Sequence, residues 1–213
     1  MENLLTHNTH TKESQAAVDP NMAIQLLKDG NRRFLNQETV SRSFDKQIAL
    51  TSTGQHPFAA VVSCIDSRIP TEIIFDQGIG DIFNARIAGN FVNADILGSL
   101  EFACKLAGSK LIVIMGHTSC GAVKGACDHA KLGNLTGMLD KIKPALDRVQ
   151  TAEGVDRSSK NLEFVNKVAV ENVHLTIEKL KSDSPVLNDM IELGDIKVVG
   201  AMYHVESGKV TFL

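Results

Sequence analysis

The chain has 213 residues, of which 43% are hydrophobic and 22% are charged, and its formal net charge is −3 at pH 7. A chain of this length can bury roughly 70% of its unfolded surface around one core, so we expect one globular domain. No Lys/Arg cluster exceeds pairs such as Arg32-Arg33, which argues against a nucleic-acid partner. The longest strongly apolar run, residues 111–115, is far shorter than the roughly 18–20 residues that cross a bilayer, so no membrane partner is expected.

The N-terminal residues 1–19 are polar and lack the apolar stretch of about 7–15 residues that a secretory signal requires. We expect a flexible segment over 1–19, a single domain over 20–213 and a cytoplasmic location. A native signal peptide that has been removed would leave the same kind of N-terminus, so a periplasmic location is the alternative.

Helical and strand patterns alternate along the chain. After the Asp19-Pro20 pair, which is typical of a helix start, apolar residues recur at helical spacing over 20–36, and a short helix is predicted over 44–51. Residues 58–63 form an apolar, partly β-branched run, as expected of a strand that is buried on both faces. Further strands are predicted over 82–87, 110–115, 196–202 and 210–213, and further helices over 93–106, 120–131, 144–150 and 161–181.

This alternation predicts an α/β fold in which helices flank a central, mostly parallel β-sheet. The first 50 residues carry helix signals without a strand signal. We therefore expect the N-terminal helices to form an arm that packs on a partner subunit.

Three side chains with metal-binding chemistry follow two of the predicted strands. Cys64 comes directly after the strand over 58–63, and His117 and Cys120 follow the strand over 110–115. The carboxyl ends of parallel strands border the crevice where ligands bind, so the sheet can bring these side chains together. Two thiolates and one imidazole suit zinc, whose catalytic sites have three protein ligands and one exchangeable position. The sequence predicts one Zn²⁺ per chain.

Asp66 and Arg68 stand two and four residues after Cys64. Asp66 could accept a hydrogen bond from zinc-bound water while Arg68 keeps the carboxylate ionised through a bidentate pair. Asp66 could instead bind zinc as a fourth ligand in a closed state. We expect the Arg68-paired state, and a working pH above neutral because two thiolates make zinc less acidic than three neutral histidines do.

The runs 64–68 (CIDSR) and 116–121 (GHTSCG) together resemble the β-class carbonic anhydrases. The resemblance extends from about residue 21 to residue 210. It also rests on Pro70, 80–83 (GDIF), Arg86, 88–90 (AGN) and 98–102 (GSLEF), which match that family in order and spacing.

The resemblance implies reversible hydration of carbon dioxide to bicarbonate and a proton, through attack by zinc-bound hydroxide. It also implies a homodimer, or a tetramer built from dimers, with active sites near the interface. Gln55 matches a glutamine that in many members donates a hydrogen bond to the substrate. Phe83 and Ala88 are assigned to a small apolar pocket, and Gly121 to substrate contact.

Two features depart from the family pattern. Ile65 stands where a small residue is usual, which should alter the packing behind the site without removing a catalytic group. The chain has no tryptophan, so an inhibitory bicarbonate pocket built from Trp, Arg and Tyr cannot form in its usual way.

Two alternative functions remain open. A related zinc lyase or hydrolase on the same scaffold would act on carbonyl sulfide or carbon disulfide. A non-catalytic, zinc-stabilised dimeric binding protein would instead close the metal with four protein ligands. The Asp66-Arg68 pair argues against the second alternative, because a purely structural site does not need it.

Overall fold

A five-stranded β-sheet forms the centre of the computed structural model, which describes residues 9–213. The strand order is β2-β1-β3-β4-β5; the first four strands run parallel, and β5 is antiparallel to β4. The predicted α/β class with a mostly parallel sheet is confirmed. The strands are β1 (Ala59–Ser63), β2 (Ile82–Arg86), β3 (Leu111–His117), β4 (Lys197–Tyr203) and β5 (Val210–Phe212).

Within residues 9–213, ten α-helices and one π-helical turn accompany the sheet. They are α1 (Lys12–Ala16), α2 (Pro20–Asn36), α3 (Phe44–Thr51), α4 (Thr71–Ile74), α5 (Ala94–Glu101), the π-turn Phe102–Leu106, α6 (Gly121–Cys127), α7 (Gly133–Leu139), α8 (Lys143–Arg148), α9 (Leu162–Asp183) and α10 (Pro185–Glu192). No helix in this range combines the length and the apolar composition that a membrane span needs.

The two central strands, β1 and β3, are buried along their whole length. Their apolar runs show no alternation because helices cover both faces of the sheet. β3 is longer than predicted: Gly116 and His117 continue the parallel pairing with β4, opposite Met202 and Tyr203. His117 is therefore the last residue of a strand, and its position is set by the sheet.

Helix α9 lies directly on β3 and β4 because two glycines face it. A Cβ atom at Gly116 would lie 2.9 Å from Val173 Cγ2, and one at Gly200 would lie 2.8 Å from Val173 Cγ1. A methyl group at either position would force the helix away from the sheet. The close approach brings α9 to the end of β3 from which His117 projects.

The N-terminal helices pack on their own chain. Asn31 of α2 donates hydrogen bonds to the carbonyls of Ile74 and Gly208 and accepts one from the N–H of Val210. Helix α3 leaves apolar side chains in solvent, with Phe44 61% exposed. Packing of this region on a partner subunit, as expected for an arm, stays a prediction.

Helix α1 lies inside the segment 1–19 that we expect to be flexible. Gln15 is buried, and its Nε2 donates to the carbonyls of Pro57 at 2.7 Å and Ala107 at 2.8 Å. These bonds fix α1 to the amino-terminal side of the sheet. Residues 1–8, which belong to the same expectation, lie outside the described residues.

The contact between α2 and the end of α4 leaves no room for a side chain at Gly30, where a Cβ atom would lie 1.7 Å from the carbonyl oxygen of Phe75. We expect Gly30→Ala to lower the free energy of unfolding by about 3 kcal/mol, as overpacking does, when measured by urea denaturation. Gly137→Ala is the control, since a Cβ there meets no atom within 4 Å. That substitution should raise stability by up to about 1 kcal/mol through helix propensity. A Gly30→Ala protein as stable as the parent would contradict this packing.

Candidate metal centre

Parallel pairing of β1 with β3 sets Cys64 and His117 side by side at the carboxyl edge of the sheet, and Cys120 immediately precedes α6. The two sulfur atoms and a ring nitrogen of His117 all lie within 4.8 Å of one another. All three residues are buried. Among residues 9–213, this is the one group of three or more potential metal ligands that meets that distance.

The imidazole of His117 is prepared to bind a metal through Nε2. Its Nδ1 lies 2.9 Å from the carbonyl oxygen of Thr118, so Nδ1 must carry the proton and donate. Nε2 then has a free lone pair, and it is buried without a hydrogen-bond partner. Tetrahedral zinc with sulfur at about 2.3 Å and nitrogen at about 2.0 Å places ligand atoms about 3.5–3.8 Å apart. The cluster fits such an ion.

The two sulfurs of the cluster differ in acidity. A hydrogen bond from the Cys120 thiol lowers the pKa of Cys64 to about 4 against the opposing effect of burial. The same hydrogen bond, together with burial, raises the pKa of Cys120. Burial raises the pKa of Cys104 to about 12 and that of Cys127 to about 11, so these remain neutral thiols. All four cysteines are free.

Asp66 lies beside the cluster and is held by Arg68. Arg68 Nε donates to Asp66 Oδ1 at 2.9 Å and Nη2 donates to Oδ2 at 2.7 Å, and the backbone N–H of Arg68 also donates to Oδ1. These bonds hold the pKa of Asp66 well below its usual range. Asp66 Oδ2 is 3.9 Å from His117 Nε2. An ionised, oriented hydrogen-bond acceptor therefore faces the atom that would bind the metal.

Arg86 holds the backbone that carries Cys64 and Asp66. Its Nε donates to the carbonyl of Cys64 at 2.9 Å, and its Nη2 donates to that of Asp66 at 2.6 Å. Arg86 is part of the sequence resemblance, but no role for it is predicted from the sequence. Its position near the end of a predicted strand could have indicated this role, because that end lies at the same sheet edge as Cys64.

The residues assigned to substrate binding divide into two groups. Ala88 precedes Gly89, whose N–H donates to Cys64 Sγ at 3.4 Å. Gly121 follows Cys120, and a Cβ atom there would meet open space. Both therefore adjoin the cluster.

Gln55 and Phe83 do not reach the cluster of their own chain. Gln55 precedes β1, and Phe83 pairs with Ala60 near the start of that strand, whereas Cys64 follows its end. The four residues from Ala60 to Cys64 span about 13 Å, and Gln55 lies before the strand begins. Phe83 instead packs edge-to-face on Phe102 with ring centroids 6.1 Å apart.

The chain is similar to carbonic anhydrases over most of its length. A sequence model of the family described as "Carbonic anhydrase" matches residues 59–210. Carbonic anhydrase 2 of Mycobacterium tuberculosis is 35% identical over 194 residues, covering 90% of this chain and 92% of that protein. A carbonic anhydrase of Mycolicibacterium smegmatis is 34% identical, with the same coverage.

Solved structures show the same similarity. A β-carbonic anhydrase of Aspergillus fumigatus superposes with a TM-score of 0.67 and 28% identity, covering 91% of this chain and 89% of that one. One of two tetrameric β-carbonic anhydrases of Sordaria macrospora superposes with a TM-score of 0.68 and 23% identity, covering 91% and 94%. The second comparison supports the fold alone.

We expect Cys64→Ser to lose most of its bound metal, because a serine hydroxyl is a far poorer ligand for a soft site than a thiolate. Metal content per chain, measured by inductively coupled plasma mass spectrometry, should be near one ion in the parent and well below one in the variant. Cys127→Ser is the matched control, since Cys127 is also buried but lies outside the cluster. Equal metal in Cys64→Ser and the parent would show that the cluster is not the metal site.

Proposed function

The chain belongs to the carbonic anhydrase family, and from that premise we propose that it catalyses the reversible hydration of carbon dioxide with one Zn²⁺ held by Cys64, His117 and Cys120. One observation carries the proposal. An imidazole Nε2 without a partner faces two sulfurs in a buried site, next to a carboxylate that an arginine keeps ionised.

The protein groups hold and orient the reactants. When bound, zinc supplies a Lewis acid that makes water a nucleophile near neutral pH. The bond from His117 Nδ1 to the Thr118 carbonyl fixes the ring plane and directs Nε2 to the metal position. The negative charge of two thiolates moves the expected working pH above neutral.

Asp66 orients the nucleophile. Its carboxylate accepts a hydrogen bond from the attacking water and so directs a lone pair of that oxygen towards carbon dioxide. Because Arg68 engages both carboxylate oxygens and lowers the pKa of Asp66, the group stays an acceptor throughout the working range. Ala88 and Gly121 border the space for carbon dioxide, and the missing side chain of Gly121 leaves that space open.

We also propose a homodimer, in which Gln55 and Phe83 serve the site of the second copy. Their distance from the cluster of their own chain leaves a role in substrate binding only across an interface. Large apolar side chains at the surface support such an interface: Phe102 is 52% exposed and Leu106 77% exposed. Burying them against a second copy would remove apolar surface from water.

Free thiols favour a reducing compartment, so we propose a cytoplasmic location. We also propose that residues 20–213 form a single domain. Carbonyl sulfide and carbon disulfide hydrolysis remain outcomes to be measured beside carbon dioxide hydration. The Asp66-Arg68 pair weighs against a purely structural metal. A metal with four protein ligands binds no water, so Asp66 would have no hydrogen bond to accept there.

The parent protein should hydrate carbon dioxide in a stopped-flow indicator assay. Asp66→Asn should lower kcat/KM by about 100-fold or more, because a neutral amide is a weaker acceptor and offers Arg68 only one oxygen. Glu163→Gln is the control, since it removes an exposed carboxylate that pairs with Lys167 on the surface. A parent protein with full zinc and no hydration activity would exclude the proposed reaction. Turnover of carbonyl sulfide by that protein would favour the related lyase or hydrolase instead.

Subunit mixing tests whether Gln55 acts across the interface. Gln55→Ala should lower kcat/KM by about 10-fold through loss of one hydrogen bond to substrate, and Cys64→Ser should be inactive. In a mixed dimer, the Gln55→Ala chain supplies an intact metal cluster and the Cys64→Ser chain supplies an intact glutamine to it. Mixed dimers can be purified through a different tag on each chain. We expect their activity to exceed the sum of the activities of the two variants measured separately. Strictly additive activity would exclude a role in trans.

A further inference from the structure

We infer that helix α9 positions the metal centre through two asparagines, Asn166 and Asn172, which fix the two loops that shape the cluster. The inference rests on the proposed metal centre and assigns roles to residues that touch neither metal nor substrate. They are positioning residues, because they act through Ser119 and Gly89.

Asn172 anchors Gly89, the residue whose N–H points at Cys64. It is 2% exposed, and its Nδ2 donates to the carbonyl of Gly89 at 2.7 Å. Gly89 in turn donates its N–H to Cys64 Sγ at 3.4 Å. A buried hydrogen bond from a residue 83 positions away thus holds the residue that donates to a ligand sulfur.

The turn around Gly89 explains why this support matters. The N–H of Asn90 donates to the carbonyl of Ile87, and Gly89 has φ of +82°, the arrangement of a type II turn. The central peptide of that turn carries the N–H that faces Cys64. A flip to type I would turn this N–H away, and glycine permits the flip without steric cost. The bond from Asn172 to the Gly89 carbonyl anchors the peptide that follows this N–H and so holds the turn in place beside Cys64.

Asn166 supports the second loop. Its Oδ1 accepts a hydrogen bond from the N–H of Ser119 at 2.9 Å. Ser119 lies between His117 and Cys120 and has φ of +56°, a left-handed conformation that costs a non-glycine residue about 1 kcal/mol or more. Holding its N–H stabilises the turn that aims both ligands at one point.

Both asparagines belong to one rigid element. Helix α9 has 22 residues and lies on Gly116, directly before His117, through Val173. A displacement of α9 would therefore change both loops together. Partners in the shell outside metal ligands typically contribute 10–100-fold in metal affinity or activity.

Hydrogen-bond chemistry gives the two asparagines opposite roles. Asn172 must donate, because its partner is a carbonyl oxygen; Asn166 must accept, because its partner is an N–H. An aspartate can accept but, when ionised, cannot donate. Asn166→Asp should therefore preserve the support, whereas Asn172→Asp should abolish it.

The test uses the full chain with Co²⁺ in place of zinc, which gives a thiolate-to-cobalt charge-transfer band and a dissociation constant by chelator competition. We expect Asn172→Leu to shift the band and to weaken Co²⁺ binding by about 10–100-fold, because Gly89, whose N–H donates to the Cys64 sulfur, loses its anchor on helix α9. Asn166→Leu should weaken Co²⁺ binding similarly, and Asn166→Asp should restore it. Asn172→Asp should resemble Asn172→Leu.

Thr176→Val is the matched control. Thr176 is 3% exposed on the same helix, and its hydroxyl donates to the backbone carbonyl of Asn172 rather than to Gly89 or Ser119. It should lower the thermal midpoint as any lost buried hydrogen bond does, yet leave the cobalt band and the Co²⁺ affinity unchanged. Circular dichroism of each variant confirms that the protein measured is folded.

The outcomes separate this inference from the proposed function. Folded Asn172→Leu and Asn166→Leu proteins with the parent's cobalt band and affinity would overturn the inference. A parent that shows the band but no carbon dioxide hydration would overturn the proposed reaction and leave the positioning role standing. A parent without any thiolate-to-cobalt band would overturn the metal centre and, with it, the role of both asparagines.

Discussion

The rest of this structure depends on one constraint. Two cysteine sulfurs and one imidazole nitrogen must lie together in a buried site. A buried anionic sulfur without a cation is unfavourable, and the lone pair of His117 Nε2 has no partner in the protein. A hydrogen bond between the two thiols lowers the pKa of Cys64 and raises that of Cys120. A divalent cation that bound all three atoms at once would compensate the negative charge and give the His117 lone pair a partner.

The sheet satisfies this constraint through register. Parallel pairing of β1 with β3 brings Cys64 and His117 to one edge, and Arg86 at the end of β2 ties down the backbone of the first loop. The same geometry places Gln55 and Phe83 towards the opposite edge. Spacing along the chain did not reveal this separation, since nine residues from Gln55 to Cys64 include a complete extended strand.

Much of the fold could be predicted because local patterns and tertiary environment agree. Helices α2 and α3 have the predicted bounds, and the apolar strands predicted a parallel sheet whose carboxyl edge carries the cluster. Helices α1, α4, α7 and α10 are absent from the sequence prediction. Helices α1 and α4 have only five and four residues, which carry too little periodicity. The roles of Asn166 and Asn172 were also beyond sequence reasoning. In the sequence, a helical asparagine that faces solvent cannot be told from one that bonds to a carbonyl 83 positions away.

The metal-binding side chains and the helix that supports them come from different parts of the chain. The ligands come from strand ends and short turns in the first 120 residues, but the element that braces their loops is a helix that begins at Leu162. Because α9 packs on Gly116 and bonds to both loops, formation of the site and docking of this helix are energetically coupled. A metal that binds only the completed site stabilises the docked helix by mass action. A bound ion and α9 would therefore stabilise each other, although no atom of the helix needs to touch the metal.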